Sequence, residues 1–164
     1  MRLLPAVAVV VFVADQVLKY YVVHVLKLDE RLAIDVLPPF LNLRMAWNRG
    51  INFGLFGGES EPLRWGLIAL ALGIAAVVWV WARRERDRRV VQLSAGLLIG
   101  GALGNVVDRV VYGAVADFLN MSCCGIDNPF AFNIADIAIF AGAIGLALFA
   151  GGGAKGRDGE RRVG

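Results

Sequence analysis

The sequence is poor in the residues from which most soluble catalytic sites are built. It has a single histidine, His24, and two cysteines, Cys123 and Cys124, side by side. A catalytic zinc needs three or more Cys, His or carboxylate ligands at set spacings, and His24 has no such cluster beside it, so no metal is expected. No glycine-rich loop follows a strand to cradle a phosphate, and the serines lack a partnering base pattern. Adjacent cysteines have Cα atoms about 3.8 Å apart, under the usual disulfide span, so free or exchangeable thiols are expected rather than a bridge between them. Charge is scarce as well: 19% of the 164 residues are charged, 58% are hydrophobic, and the mean hydropathy is +0.64. Globular chains average about 45 to 50% apolar residues, so a soluble domain of this size cannot bury what this chain carries. It belongs in a membrane.

What is present is a set of apolar runs separated by short polar segments. They predict an all-α membrane protein with four transmembrane helices, at about 3–28, 62–82, 90–112 and 130–150, and a small extracytoplasmic β element within a β and loop segment at 29–61. The first run begins like a signal peptide, but no small-x-small cleavage site follows and Asp15 comes next, so it reads as a retained helix. Leu41, Leu43, Met45 and Trp47 alternate with Asn42, Arg44, Ala46 and Asn48, the period of a strand with one apolar face. Asn48, Gly50, Asn52 and Gly54 follow as a turn-rich segment. Ser60, Glu61 and Pro62 suit a helix start, with Ser as the cap. In the third helix Gly96, Gly100 and Gly104 recur every four residues, a row that lets a neighbouring helix come close. Residues 1–153 form one polytopic domain, and 154–164 a mobile basic tail.

The net charge of +3 and pI near 9.2 do not point to nucleic acid, because the basic residues sit in short clusters between apolar runs. With four crossings, Arg2, the loop Arg83 to Arg89 and the tail Lys155, Arg157, Arg161 and Arg162 fall on one side, contributing one, five and four positive residues. That side is expected to be cytoplasmic, with both termini inside. The other side has Lys27, Arg31, Arg44, Arg49 and Arg64, and nothing positive after Arg109 until the tail.

Polar residues inside apolar runs are costly, about 2.5 to 3.5 kcal/mol for a charge at the bilayer centre, and mark function by default. Asp15 lies thirteen residues along from Arg2 and Asp108 eighteen from Val90. At about 1.5 Å per residue, both reach roughly 20 to 27 Å above the cytoplasmic face. Asp136 lies about 9 Å below the outer face by the same rise, and Asp117 and Asn48 sit in segments at that face. One polar layer in the outer third of the membrane results. Within it Asp15 has Lys19 four residues on, and Asp108 has Arg109 beside it, although Arg109 is equally placed to reach another carboxylate. Asp117 and Asp136 are left without a local counter-ion. Two carboxylates forced together at low dielectric share a proton, and one then serves as general base on a water while the other acts as general acid towards an amide. The alternative is that each is hydrogen-bonded to Asn105 or Asn133 as structural glue.

The motifs that hold these residues form a recognisable set. GNVVDR (Gly104 to Arg109), VADF (Val115 to Phe118) and FNIAD (Phe132 to Asp136), preceded by DQVLK (Asp15 to Lys19) and NRGINFG (Asn48 to Gly54), resemble in order the signature of the lipoprotein signal peptidases, signal peptidase II, bacterial intramembrane aspartyl proteases. The resemblance spans about Asp15 to Ile139. It implies an endopeptidase of the bacterial cytoplasmic (inner) membrane, with its active site near the outer leaflet, that cuts prolipoproteins on the amino side of a diacylglyceryl cysteine. It implies no metal or organic cofactor, a lipid-modified prolipoprotein as partner together with membrane lipid, and sensitivity to the cyclic peptide globomycin; a monomer without nucleic acid is expected besides. By motif, Asp117 and Asp136 match the catalytic aspartates. Asp15, Lys19, Asn48, Gly50, Asn105, Asp108, Arg109 and Asn133 match positions that bind substrate or support the dyad. The loop Asn120 to Phe130 departs from the pattern, with Cys-Cys and Asn-Pro in place of Trp-Pro before FNIAD. A different class, a small proton-coupled transporter using Asp108, Arg109 and Asp136 as a relay, is the rival reading; no acidic residue in the cytoplasmic half of any helix continues such a path.

Overall fold

A computed structural model describes residues 2–50, 61–123, 125 and 128–149. The tail at 154–164, the Ser60 cap, the turn residues Asn52 and Gly54, and Cys124 with the state of the cysteine pair lie outside the described residues.

The aliphatic run near the amino terminus forms α1, Leu3–Tyr20, and continues through a π-helical turn, Tyr21–Val25, in which the Leu26 N–H reaches the Tyr21 carbonyl at 2.9 Å. A short α2, Leu28–Arg31, follows, so the first helix breaks up before residue 28 rather than running smoothly to it. The long helices α3, Glu61–Ala82, and α4, Arg89–Val111, are joined by the arginine-rich loop. Leu3–Val25, Glu61–Ala82 and Arg89–Val111, of 22 or 23 residues each, are long and apolar enough to cross a membrane. The last helix, α5, Ile134–Phe149, is apolar but has 16 residues, about 24 Å of rise.

Helix α4 is the hub. A Cβ added at its Gly100 would stand 2.5 Å from the Ala8 carbonyl oxygen of α1, so the expected glycine row does admit a neighbouring backbone. Its other flanks carry α5 and α3. The outer face of α3, with Leu70, Val77 and Val80 all more than half exposed, is apolar, as lipid contact requires and water does not.

The predicted strand is β2, Leu41–Asn48, the centre of an antiparallel three-stranded sheet ordered β1 (Ala33–Leu37), β2, β3 (Val115–Asn120). The third strand corrects the sequence reading, which confined the β element to 29–61 and took the chain around Asp117 as a connection. Five of the six β3 residues are buried, and a strand covered on both faces has no alternation to betray it. The β2–β3 register sets Ala46 opposite Asp117 and Asn48 opposite Val115. Phe118, Val22 and Leu28 form the buried cluster that seats the sheet on the end of the first helix.

The fourth helix starts at Ile134, not near Phe130 as expected. Phe132 is instead drawn into extended pairing with β3, its N–H and carbonyl exchanging bonds with Leu119 at 3.0 and 2.8 Å. Asn133 then caps α5: its Oδ1 accepts the Asp136 N–H at 2.9 Å while Asp136 Oδ2 accepts the Asn133 N–H at 3.2 Å, a reciprocal capping box. At the same end of the molecule His24 is exposed and shares a 3.1 Å hydrogen bond with the Tyr112 hydroxyl, and Trp47 lies 5.4 Å from the Tyr112 ring.

Candidate active site

Four elements converge just above α4. From α1, the Lys19 ammonium lies 2.8 Å from Asp15 Oδ2, 2.7 Å from Asp108 Oδ2 and 3.1 Å from Asn105 Oδ1, using all three of its donors. Lys19, Asp15 and Asp108 are 3%, 1% and 0% exposed. Each carboxylate also anchors a distant backbone: Asp15 Oδ1 accepts the Ala135 N–H at 3.0 Å in α5, and Asp108 Oδ2 accepts the Ala116 N–H at 3.2 Å in β3. A buried ion cluster survives only when its remaining lone pairs are met, and these are. The cluster therefore ties α1, α4, α5 and β3 together.

The second pair of carboxylates is held differently. Asp117, buried on β3, accepts the Asn133 amide at 2.6 Å on Oδ1 and the Asn48 amide at 3.1 Å on Oδ2. Asp136, half-buried in the first turn of α5, accepts the Asn105 amide at 2.9 Å on Oδ1 and the Asn133 N–H on Oδ2. Asn133 thus touches both acids, and its amide also reaches Asn105 Oδ1 at 3.3 Å. Among the described residues neither Asp117 nor Asp136 has an ion-pair partner. Burial, reinforced by the Asp136 charge, pushes the Asp117 carboxyl up to about 6, against the opposing pull of the Asn48 and Asn133 amides and the more distant Lys19. Asn48 is itself oriented by the Gly50 N–H, which donates to Asn48 Oδ1 at 3.0 Å. Gly50 has φ +106°, a conformation that a side chain would strain.

All ten residues singled out from the sequence lie in this one connected network. One expected pairing is wrong: Asp108 binds Lys19, not Arg109. Successive residues on a helix point about 100° apart, so Arg109 cannot turn back onto its neighbour. Its Nη1 donates to the Asn105 carbonyl at 3.3 Å instead. The charge of Arg109 acts on Asp136, Asp108 and Asp117 without a direct ion pair. The glue alternative for Asp117 and Asp136 is right about the contacts, since Asn105 and Asn133 do bond them.

Two residues escaped the sequence reading. Gln16 Nε2 lies 3.1 Å from Asp108 Oδ1 and 3.3 Å from both Asp15 Oδ2 and the Gly104 carbonyl, a clasp between α1 and α4. Its place inside DQVLK was the available signal. Gly104, read as helix packing alone, faces the site: a Cβ there would stand 2.5 Å from Asp15 Oδ2.

With this geometry in hand, comparison with known proteins decides the family. The family model described as Signal peptidase (SPase) II matches residues 7–150. The chain belongs to the signal peptidase II family. Among curated relatives, the lipoprotein signal peptidase of Methylobacterium sp. (strain 4-46) is 43% identical over 143 residues, covering 87% of this chain and 85% of the relative. That of Burkholderia mallei (strain SAVP1) is 39% identical over 138 residues, 84% of this chain and 81% of the relative. Among solved structures, a bacterial membrane enzyme determined by the in meso method superposes with a TM-score of 0.73 at 30% identity, covering 87% of this chain and 88% of that one. As a signal peptidase II family member the chain is a hydrolase and a protease with membrane-embedded helices, and its apolar spans agree with that class.

Proposed function

We propose that this chain is an intramembrane aspartyl endopeptidase that removes signal peptides from lipid-modified bacterial prolipoproteins, cutting on the amino side of the diacylglyceryl cysteine. Asp117 and Asp136 form the dyad that activates a water. What carries the reading is the contrast in counter-ions: two aspartates paired with Lys19, and two that among the described residues are held by neutral amides beside a shared asparagine. Carboxylates so placed share a proton and suit concerted acid and base work on an amide. The names of the relatives support the substrate class.

The remaining groups take supporting roles. Lys19, Asp15 and Asp108 fix the frame, Asn105 and Asn133 aim the dyad, and Asn48 with Gly50 presents a donor at the exposed edge where a substrate backbone enters. Arg109 lends positive charge to the layer. Four crossings with both termini cytoplasmic place the site near the outer leaflet of the inner membrane, and the chain acts as a monomer. The comparisons lend nothing to the proton-coupled transporter reading.

The deciding experiment compares a diacylglyceryl-modified precursor with its unlipidated form. Wild type is expected to cleave only the lipidated one, and Asp117→Asn and Asp136→Asn to cleave neither while still inserting. Turnover retained in either variant removes that residue from the mechanism.

A further inference from the structure

The two acids of the dyad sit in unequal surroundings, and the inequality assigns their roles. Given the peptidase reading, we propose that Asp117 is the member that carries the shared proton and donates it to the scissile carbonyl, while Asp136 is the charged base that takes a proton from water.

The assignment rests on placement. Asp136 occupies the third residue of a helix, where unsatisfied backbone N–H groups and the helix dipole favour an anion. One of its oxygens accepts a backbone N–H and the other the Asn105 amide, and the side chain is partly open to water. Asp117 is 3% exposed in the middle of a strand, and among the described residues its carboxylate accepts no backbone N–H. Its direct donors are both side-chain amides. The groups whose charges reach it are Asp136 from α5, Lys19 from α1 and Arg109 from α4, while β2 contributes the neutral Asn48. Lys19 is committed at 2.7 and 2.8 Å to two other carboxylates, so its charge is largely answered before it reaches Asp117. Of the two acids, the more deeply buried one, which is outside the helix and accepts no backbone N–H among the described residues, gives up its charge more readily.

The steps balance. Asp136 accepts one proton of the water as the water oxygen bonds to the amide carbon, and Asp117 delivers its proton to the carbonyl oxygen, giving a neutral gem-diol. Asp136 then passes its proton to the amide nitrogen as the carbon–nitrogen bond breaks, and one diol hydroxyl returns a proton to Asp117. The products are an acid and an amine, and both aspartates finish as they began.

Infrared titration of the purified protein in lipid vesicles reads which acid holds the proton without needing turnover, so an inert wild type sinks the peptidase reading and the roles built on it, whereas misplaced bands sink the assignment alone. Wild type is expected to show a protonated-carboxyl band that disappears with a midpoint of about 6. The band should be lost in Asp117→Asn, and it should remain in Asp136→Asn with a lower midpoint, because the neighbouring charge is gone. A band lost in Asp136→Asn and kept in Asp117→Asn reverses the roles, and no titrating band in wild type overturns the proposal. A second arm uses turnover. Asn48→Ala removes a donor that favours ionised Asp117, so the alkaline limb of kcat/KM should move to higher pH. Asn105→Ala, which touches Asp136, should leave that limb in place. A limb moved by Asn105→Ala and not by Asn48→Ala contradicts the assignment.

Discussion

Two pairs of aspartates occupy the same layer of this molecule and are used in opposite ways. Asp15 and Asp108 close on one ammonium and each grips a distant backbone N–H, so their charge is spent on holding four elements together. Among the described residues Asp117 and Asp136 meet only neutral donors at bonding distance, and they share Asn133. The first pair resembles a rivet, and the second is the one assigned to catalysis in the proposed mechanism. Residue type is the same in both, so the difference lies in which pair Lys19 reaches. A cation beside the second pair would favour both as anions, and on the proposed mechanism would remove the proton that hydrolysis needs.

The comparison is broken most severely by removing its reactive half. Asp117→Asn or Asp136→Asn should lower turnover by roughly a thousandfold or more, the scale of a general acid or base, with thermal unfolding little changed. Removing the rivet should do the reverse. Lys19→Met leaves two buried carboxylates facing each other and should cost about 3 to 5 kcal/mol in stability, seen as a large drop in Tm in detergent. The triple variant with Asp15→Asn, Lys19→Met and Asp108→Asn should recover much of that loss, because no uncompensated charge remains. If Lys19→Met keeps its Tm and loses only activity, the two pairs are not divided as described.

Smaller changes sharpen the contrast. Gly104→Ala pushes a methyl into Asp15 Oδ2 and should lower stability by about 1 to 3 kcal/mol. Stability should also follow pH through Asp117. Its carboxyl titrates at about 6 here against 3.8 ordinarily, so the native state holds that proton more tightly than the unfolded chain. The contribution is full below about pH 4 and is lost as pH rises through about 6. A plot of Tm against pH should fall across that window and flatten in Asp117→Asn. Tyr112→Phe removes only the hydroxyl bonded to His24 and should cost no more than about 1 kcal/mol, with turnover nearly unchanged.

Much of this was legible in the chain because it rests on discrete, expensive choices. A carboxylate in an apolar run needs a reason, and Asp15, Asp108, Asp117 and Asp136 each announced one by residue type alone. Helical rise gave the expectation of a common depth for Asp15, Asp108 and Asp136. What stayed hidden depends on relations across the fold. The Lys19 to Asp108 pair joins residues 89 apart, whereas sequence reading offered the adjacent Arg109, which geometry forbids. β3 is too buried to alternate, and the start of α5 was displaced because Phe132 pairs with a strand that only the folded chain brings alongside. Gln16 carries no charge and so raised no alarm, yet it bonds both halves of the rivet.

Asn133 is at once the residue that starts α5 and the one that holds both acids. Nucleating that helix and assembling the reactive pair are therefore a single event. Until α5 forms, Asp117 lacks both the Asn133 amide and Asp136 as neighbours. On the proposed mechanism, the site is complete only once α5 has formed.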